Sequence, residues 1–254
     1  MISASQVTKR FGRGKTAVTA LDDVSMHIGE GEFVSLLGPS GCGKSTFLRC
    51  LAGIEIPSSG TVKIDGAPIA GPPDRLGMAF QRDALLDWFD VLDNVLLPAD
   101  FLAKNKADYE PRARELLKMV GLASFESVYP RTLSGGMRQR VAICRALLLD
   151  PHILLMDEPF GALDSLTRDQ LNVDLRNIYK QQKMTTVFVT HSIAEAVFLS
   201  TRVVVFSPRP GRIVEDIKIE LPDQRRLSVR EEPAFSGYTR RIRTLFESMG
   251  LIHD

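Results

Sequence analysis

The chain has 254 residues and a nearly even charge balance, with 32 basic and 31 acidic side chains and a net charge of +1. This balance excludes a global electrostatic field that would draw the protein to nucleic acid or anionic lipid, and no nucleic-acid partner is expected. Apolar residues make up 44% and charged residues 25% of the chain, which excludes disorder and predicts a sizeable core. At this length, one large α/β unit with an inserted subdomain fits best.

Cysteine usage and hydropathy bear on the compartment. The three cysteines, Cys42, Cys50 and Cys144, are odd in number and widely spaced, without a CxxC pair, which suits a reducing cytosol. The N-terminal segment lacks the apolar core of a signal peptide, and no apolar stretch approaches the roughly 20 residues that cross a bilayer. If the protein works at a membrane, we expect another subunit to anchor it.

The first third of the chain is predicted to form short strands around a glycine-rich turn. The predicted strands are 6–11, 18–28, 32–37, 61–64 and 76–81. The strand 32–37 is almost continuously apolar, as expected of a buried parallel strand, and the residues GPSGCGKST follow it at once. A helix is predicted over 44–52.

Helical patterning dominates between about residues 93 and 149. There we expect breaks at Pro98, Pro111, Gly121 and Pro130. Strands and helices then alternate, with strands predicted at 153–156, 185–190 and 202–206 and helices at 165–182 and 193–199. Such alternation is typical of a parallel sheet with right-handed crossovers. A last helix is predicted over 233–249, with an apolar face of Phe235, Tyr238, Ile242, Leu245, Phe246 and Met249.

Residues 38–45 match the pattern G-x-x-x-x-G-K-[ST] between a predicted strand and a predicted helix. Such a loop lets backbone N–H groups converge on phosphate oxygens, and the helix N-terminus adds partial positive charge. Lys44 is expected to reach the β- and γ-phosphates, and Ser45 to bind Mg²⁺. The same N–H groups and Lys44 should favour the thiolate of Cys42. The predicted nucleotide-binding residues are Gly38, Pro39, Ser40, Gly41, Cys42, Gly43, Lys44, Ser45 and Thr46.

A second anion site is predicted in the segment LSGGMRQR at 133–140. Ser134 is a natural N-cap. A helix that begins with Ser134, Gly135 and Gly136 exposes backbone N–H groups with no side chain in the way. The helix is expected to bury an apolar face formed by Met137, Val141, Cys144 and Leu148.

Together with the phosphate loop, two further segments make residues 1–215 similar to the ABC (ATP-binding cassette) ATPases. LSGGMRQR resembles the signature motif of that family, and HILLMDEP at 152–159 resembles its Walker B strand. The resemblance implies an α/β fold: a P-loop NTPase core with a mostly parallel sheet and an N-terminal antiparallel β subdomain (1–81 and 150–215), an inserted α-helical subdomain with the signature motif (82–149) and a short C-terminal tail (216–254).

Two adjacent acids carry the predicted chemistry. Asp157 ends an apolar strand, where a carboxylate would be costly unless it met Mg²⁺ directly or through water. Glu158 is placed to polarise the water that attacks the γ-phosphate. Helix capping is the structural alternative for such a pair, but Pro159 and Gly161 favour a turn.

The resemblance also implies roles for residues outside these motifs. TVFVTH at 186–191 resembles the strand that carries the switch histidine, here His191, as a third catalytic residue beside Lys44 and Glu158. Gln81 resembles the glutamine that senses Mg²⁺ and the γ-phosphate. Phe11 aligns with the aromatic residue that stacks on adenine, usually a tyrosine, although a core role is the alternative. Residues 161–164 resemble the D-loop.

The resemblance further implies assembly and location. We expect an ATP-hydrolysing, Mg²⁺-dependent subunit of an importer, peripheral to the cytoplasmic face of the inner membrane. Its expected partners are integral-membrane permease subunits and, indirectly, a solute-binding protein. SPRPGRIV at 207–214 before a short tail is similar to the nitrate, sulfonate and taurine importer group.

The apolar segment 83–91 would suit a socket for a coupling helix of the permease through Leu85 and Trp88. Core packing explains the segment about as well. Because the two anion sites of one chain are not expected to converge on one γ-phosphate, we also expect an ATP-dependent homodimer.

Two competing interpretations come from other classes. D-x-x-G at 74–77 and N-K-x-D at 105–108 fit a GTPase, but NKAD does not end an apolar strand, and only 31 residues (105 minus 74) separate the motifs. An ABC ATPase of DNA repair or translation would usually carry coiled coils, zinc cysteines or a second cassette, and the sequence shows none of these.

Overall fold

The computed structural model describes residues 1–161 and 163–252, without the side chain of Lys15. Its strands are β1 (Ile2–Phe11), β2 (Val18–Ile28), β3 (Phe33–Leu37), β4 (Ser59–Ile64), β5 (Ala67–Pro68), β6 (Leu76–Ala79), β7 (Ile153–Asp157), β8 (Thr185–Thr190), β9 (Arg202–Phe206) and β10 (Ile213–Lys218). Its helices are α1 (Lys44–Leu51), α2 (Val91–Phe101), α3 (Lys106–Met119), α4 (Gly135–Leu147), α5 (Ser165–Gln182), α6 (Ile193–Leu199) and α7 (Pro233–Ser248). The chain divides into two compact units, 1–74 with 185–254, and 75–184.

The first unit contains an antiparallel sheet with the strand order β2-β1-β4-β5, which confirms the expected N-terminal β subdomain. Strand β1 is longer than predicted, because it begins at Ile2 and not at Gln6. Its pairing register shifts between Ala4 and Val7, and Gln6 has a left-handed φ of 51°. This bulge interrupts the alternation of buried side chains, so a period-2 pattern could not extend the strand back to residue 2.

The parallel core of the first unit is formed around β3, whose five residues are all buried. Strand β3 pairs in parallel with β8 on one side and with β9 on the other. Both partners have the predicted bounds, and the parallel topology is confirmed. Strand β10, antiparallel to β9, was missed. Its sequence IVEDIK places two charged residues side by side, and Ile217 is its buried residue, so the apolar signal is weak.

Helix α7 follows the predicted pattern. Phe235, Ile242 and Phe246 are buried, while Tyr238, Leu245 and Met249 are half-buried. The Tyr238 hydroxyl accepts a hydrogen bond from the Glu220 N–H at 3.0 Å, which ties the helix to the end of the last sheet strand. Among the described residues, we find no helix that is long and apolar enough to cross a membrane.

The second unit combines the parallel pair β6 and β7 with helices α2 to α5. The predicted breaks at Pro98 and Pro111 are wrong, because these prolines lie inside α2 and α3. Each proline removes one helical hydrogen bond. However, α2 buries apolar side chains on both sides of Pro98, and α3 buries them after Pro111, so tertiary packing outweighs local propensity. The breaks predicted at Gly121 and Pro130 are confirmed, since both lie between α3 and α4.

Candidate nucleotide site

The phosphate loop connects the buried strand β3 to helix α1. Gly41 and Gly43 have φ values of 74° and 114°, a region that side chains with a Cβ rarely adopt. Space gives a second reason at Gly43, because a Cβ there would lie 2.5 Å from the Ala20 carbonyl oxygen. The glycines thus permit the tight turn that places residues 38–46 in one continuous cradle.

Lys44 is buried at the start of α1, with 3% of its surface exposed. Its Nζ donates to the carbonyl oxygens of Gly38 at 2.8 Å and Pro39 at 2.9 Å. The ammonium group therefore lies within the loop and not on the protein surface. From there it can meet the oxygens of a nucleotide phosphate, whose negative charge would compensate a buried cation.

Cys42 corrects one prediction. Its thiol is buried, with 1% of the residue exposed, and Sγ lies 3.9 Å from Lys44 Nζ. Burial raises the pKa of Cys42, and the charge and hydrogen bond of Lys44 lower it by a smaller amount. The expected stabilisation of the thiolate is wrong, because desolvation of the charged form outweighs the neighbouring cation.

Phe11 and His191 are both exposed in the first unit. Phe11 ends β1 with 42% of its surface exposed, and Lys9 Nζ lies 5.1 Å from its ring centroid, so it is not a core residue. His191 directly follows β8. The Thr190 hydroxyl fixes this turn by donating to Glu195 Oε2 at 2.5 Å and accepting from the Ser192 N–H at 3.0 Å.

In the second unit, β7 ends at the two predicted acids. Asp157 has 4% of its surface exposed. Glu158 follows in a left-handed conformation with φ of 44°, and its carbonyl accepts from the Gly161 N–H at 3.2 Å. A non-glycine residue in this region costs on the order of 1–3 kcal/mol and is found most often at functional sites. The turn after β7 therefore holds Glu158 in a backbone conformation that non-glycine residues rarely adopt.

The signature segment forms the predicted helix N-terminus. Ser134 Oγ accepts from the Met137 N–H at 3.3 Å, which confirms the N-cap. Gly135 is exposed, whereas Gly136 is buried and a Cβ on it would lie 2.3 Å from Thr167 Cγ2. The second glycine therefore allows close packing against Thr167 of α5, whose side chain would have to move to admit a Cβ. Val141, Cys144 and Leu148 are buried as expected, and Met137 is half-buried.

Gln81 and the segment 83–91 follow β6, which ends two residues earlier than predicted. Gln81 is exposed. The segment after it is held by buried Asn94, whose side chain accepts from the Leu86 N–H at 2.8 Å and donates to the Phe89 carbonyl at 3.0 Å. Trp88 is 71% exposed. The core alternative is therefore wrong for Trp88.

The predicted D-loop is described in part, because Ala162 lies outside the described residues. Asp164 caps α5 by accepting from the Thr167 N–H at 3.0 Å. Hydrogen bonds from Thr167 lower the pKa of Asp164, so the cap is ionised at neutral pH.

Metal ligands can be assessed from the chemistry of the donors. In the part of the chain that the structure describes, no group of three or more His, Cys, Asp or Glu residues could hold a metal ion. Ser45, Gln81 and Asp157 each offer an oxygen of the kind that Mg²⁺ prefers, and Mg²⁺ in nucleotide sites takes much of its coordination from phosphate and water. Taken singly, each of these side chains is therefore chemically suited to an Mg²⁺ ion that is bound together with a nucleotide.

Comparison with known proteins agrees with these features. The family model described as "ABC transporter" matches residues 21–161, more than half of the chain. The chain is 46% identical over 246 residues to a taurine import ATP-binding protein, TauB, of Rhizobium johnstonii, covering 94% of this chain and 92% of the relative. It is 41% identical over 251 residues to an aliphatic sulfonates import ATP-binding protein, SsuB, of Bacillus cereus, covering 99% and 98%.

A solved structure of the dimeric ATP-binding cassette MJ0796 in a post-hydrolysis state, bound to ADP and Pi, is also similar. It is 36% identical with a TM-score of 0.77, over 87% of this chain and 100% of that one. One conclusion follows from the family match, from the relatives that align over almost the whole chain and from the common fold. The chain belongs to the ABC transporter family, as one of its ATP-binding and ATP-hydrolysing proteins.

Proposed function

We propose that this chain drives an importer that takes up a small solute, of the nitrate, sulfonate or taurine class, through a separate integral-membrane permease. The observation that carries the proposal is the end-to-end similarity to proteins named for taurine and aliphatic sulfonate import. That similarity extends through the 216–254 tail, which in the described residues contains the end of β10, a short 3-10 helix at Leu227–Glu231 and α7. These relatives favour import over a role in nucleic-acid repair or translation.

In this proposal the phosphate loop binds ATP. Residues 38–46 hold the phosphates through backbone N–H groups, and Lys44 neutralises the β- and γ-phosphates. Phe11 stacks on the adenine, which its exposed ring permits. Ser45, Gln81 and Asp157 supply oxygen ligands to Mg²⁺, and the bound ion would offset negative charge on the phosphates during hydrolysis.

Glu158 is the proposed general base. It orients and polarises the attacking water. Its left-handed backbone conformation supports this role, because such conformations are found most often at functional sites. His191 is proposed to contact the γ-phosphate from the turn after β8. The hydrogen bonds of Thr190 to Glu195 and Ser192 hold that turn, so the backbone that carries His191 is fixed by the protein itself.

A second copy of the chain completes the proposed site. Ser134, Gly135 and Gly136 present the N-terminus of α4, with Ser134 and Gly135 exposed, which is suited to a partner's nucleotide. On this basis we propose a homodimer that forms when ATP binds and separates after hydrolysis. The dimeric state of the similar cassette MJ0796 supports this assembly.

The segment 83–91 is the proposed permease contact. Exposed Trp88 and half-buried Leu85 provide apolar surface, while Asn94 fixes the backbone beneath them. The chain would then lie on the cytoplasmic face of the inner membrane, held by its permease, with a solute-binding protein acting from the other side.

The test is reconstitution with the permease that co-purifies with this chain. Proteoliposomes containing ATP, Mg²⁺ and the associated solute-binding protein should accumulate labelled taurine, an alkanesulfonate or nitrate. Glu158→Gln, which retains side-chain volume, serves as the inactive control. ATP hydrolysis without uptake of any of the three solute types would contradict the solute assignment, and failure to recover a membrane subunit would contradict import.

A further inference from the structure

Arg209 contacts the phosphate loop from the loop that joins β9 to β10. Its Nε and Nη2 both donate to the Gly41 carbonyl oxygen, at 3.1 and 2.9 Å. A guanidinium presents donors in a rigid fork, so two bonds to one acceptor also fix the direction of that acceptor. The contact therefore sets the orientation of a peptide group inside the nucleotide cradle.

The loop that carries Arg209, residues 207–212, is held by its own hydrogen bonds. The Ser207 N–H donates to the Arg212 carbonyl at 2.9 Å, and the Arg212 N–H donates to Ser207 Oγ at 3.0 Å. The Ser207 hydroxyl in turn donates to the Pro210 carbonyl at 3.0 Å. A closed set of bonds of this kind makes the loop a fixed support for Arg209.

The same loop is seated against β2 and the phosphate loop. The Gly211 N–H donates to the Ala20 carbonyl at 2.9 Å, and the Asp22 N–H donates to the Gly211 carbonyl at 3.0 Å. A Cβ at Gly211 would lie 2.3 Å from the Cys42 carbonyl oxygen, so only glycine permits this approach. The 207–212 loop and the phosphate loop thus form one packed structure.

We propose that Arg209 is a positioning residue for nucleotide binding, which acts by holding the Gly41 carbonyl away from the phosphates. Carbonyl oxygens carry partial negative charge and repel phosphate oxygens. Lys44 donates hydrogen bonds to the carbonyls of Gly38 and Pro39, and Arg209 donates to the carbonyl of Gly41. Because the C=O and N–H of a trans peptide point in opposite directions, fixing the Gly41 carbonyl also fixes the N–H of Cys42.

Three variants test the proposal: Arg209→Ala, Arg209→Lys and the control Arg212→Ala. Arg212 belongs to the same loop but pairs with the Asp22 carboxylate, at 2.9 Å from its Nε, and not with the phosphate loop. Dissociation constants for ATP and ADP are measured by isothermal titration calorimetry, with KM and kcat from phosphate release and Tm from thermal unfolding.

Arg209→Ala should weaken ATP binding about threefold to tenfold, since charged hydrogen bonds at an exposed residue fall at the lower end of their usual contribution. KM should rise with kcat near the wild-type value, because the contact serves bound substrate and transition state alike. Arg209→Lys, which keeps the charge but loses the fork, should lie between Arg209→Ala and wild type, and Arg212→Ala should bind ATP normally.

An Arg209→Ala dissociation constant within twofold of wild type would overturn the proposal. Equal weakening in Arg212→Ala would also overturn it, because loss of positive charge would then explain the effect. If Arg209→Ala does not fold, Arg209→Lys decides alone, and wild-type affinity in that variant counts against positioning. The inference rests on the proposed ATP-binding role of the phosphate loop, which Lys44→Ala tests separately: if that variant retains wild-type affinity and turnover, the binding role fails irrespective of Arg209.

Discussion

The carboxylate of Asp83 accepts a hydrogen bond from Arg138 Nε at 2.9 Å, and this ion pair joins the segment after Gln81 to the first turns of α4. The same segment is held a second time farther along the helix, where Arg145 donates to the carbonyls of Asp83 at 2.6 Å and Ala84 at 2.8 Å. The proposed permease contact, segment 83–91, and helix α4 are therefore bonded to each other at two points within one unit.

The ion pair of Asp83 and Arg138 should contribute a small but measurable coupling free energy to stability. The Asp83 and Arg138 side chains are 29% and 36% exposed, and partly exposed ion pairs contribute up to about 1 kcal/mol. We expect a double-mutant cycle of Asp83→Ala and Arg138→Ala, measured by urea unfolding, to give a coupling free energy of about 0.5–1 kcal/mol. Additive effects of the two substitutions would show that the contact does not stabilise the fold.

Lys44→Ala should abolish ATP hydrolysis. The substitution removes the ammonium group that lies within the phosphate loop, and loss of one such charge typically lowers turnover about 100-fold or more. Far-ultraviolet circular dichroism should be unchanged, because no apolar core residue is altered. Phosphate release is the assay, and wild-type turnover in a folded Lys44→Ala protein would contradict the assignment of the phosphate loop.

The cysteines should react slowly with maleimide in the native protein. All three are buried, and burial raises the pKa of Cys42 and raises those of Cys50 to about 11 and Cys144 to about 12. Raised pKa values leave little thiolate at neutral pH, so labelling should accelerate about tenfold per pH unit below the pKa. Mass spectrometry should show much faster labelling in guanidinium chloride. Rapid labelling of the native protein that is lost in Cys42→Ser would instead show that the phosphate loop stabilises the thiolate of Cys42.

Sequence patterns predicted the fold well where local signals agree with packing. Strand β8 and helix α5 have the predicted bounds, because each combines an apolar or periodic run with clear end signals. Pro98 and Pro111 were predicted to break helices, and that error arises because local propensity is weaker than the burial of neighbouring side chains.

Some features of the candidate site could be predicted from the sequence, and others could not. The backbone conformations at Gly43 and the cap at Ser134 follow from residue type and spacing. The contact of Arg209 with Gly41 joins residues 168 positions apart, and the burial of Cys42 does not follow from the phosphate-loop pattern. The segment SPRPGR indicates an importer group by similarity, but only its placement against the phosphate loop indicates a role for Arg209.

Replacing Trp88 by glutamate should leave stability nearly unchanged. Trp88 is 71% exposed, and exposed substitutions usually alter the free energy of unfolding by less than about 0.5 kcal/mol. Binding to the detergent-solubilised permease should be lost in a pull-down assay if the segment is the contact. Val95→Asp is the matched control, since Val95 is fully buried in the adjacent helix and a charge there should unfold the protein. A large fall in Tm for Trp88→Glu would count against the contact.

Glu158→Gln should trap an ATP-bound dimer. The substitution keeps the side-chain volume but removes the carboxylate that is proposed to polarise water, so ATP should bind without being hydrolysed. The N-terminus of α4, where Ser134 and Gly135 are exposed, should then stay in contact with the unhydrolysed ATP of the partner subunit and hold the dimer together. Size-exclusion chromatography with light scattering should show a monomer with ADP and a dimer with ATP.

Two controls separate this dimer from nonspecific association. A Lys44→Ala/Glu158→Gln double variant should stay monomeric with ATP, because the phosphate loop can no longer hold the nucleotide that joins the subunits. A Ser134→Arg/Glu158→Gln variant should bind ATP but not dimerise, because a bulky side chain then covers the helix N-terminus that the partner's phosphate needs. The experiment is repeated on the complex with its permease, where the subunits are held together and cross-linking reports closure. An ATP-loaded Glu158→Gln protein that stays monomeric alone and open in the complex would contradict the shared site, even if Lys44 proved essential.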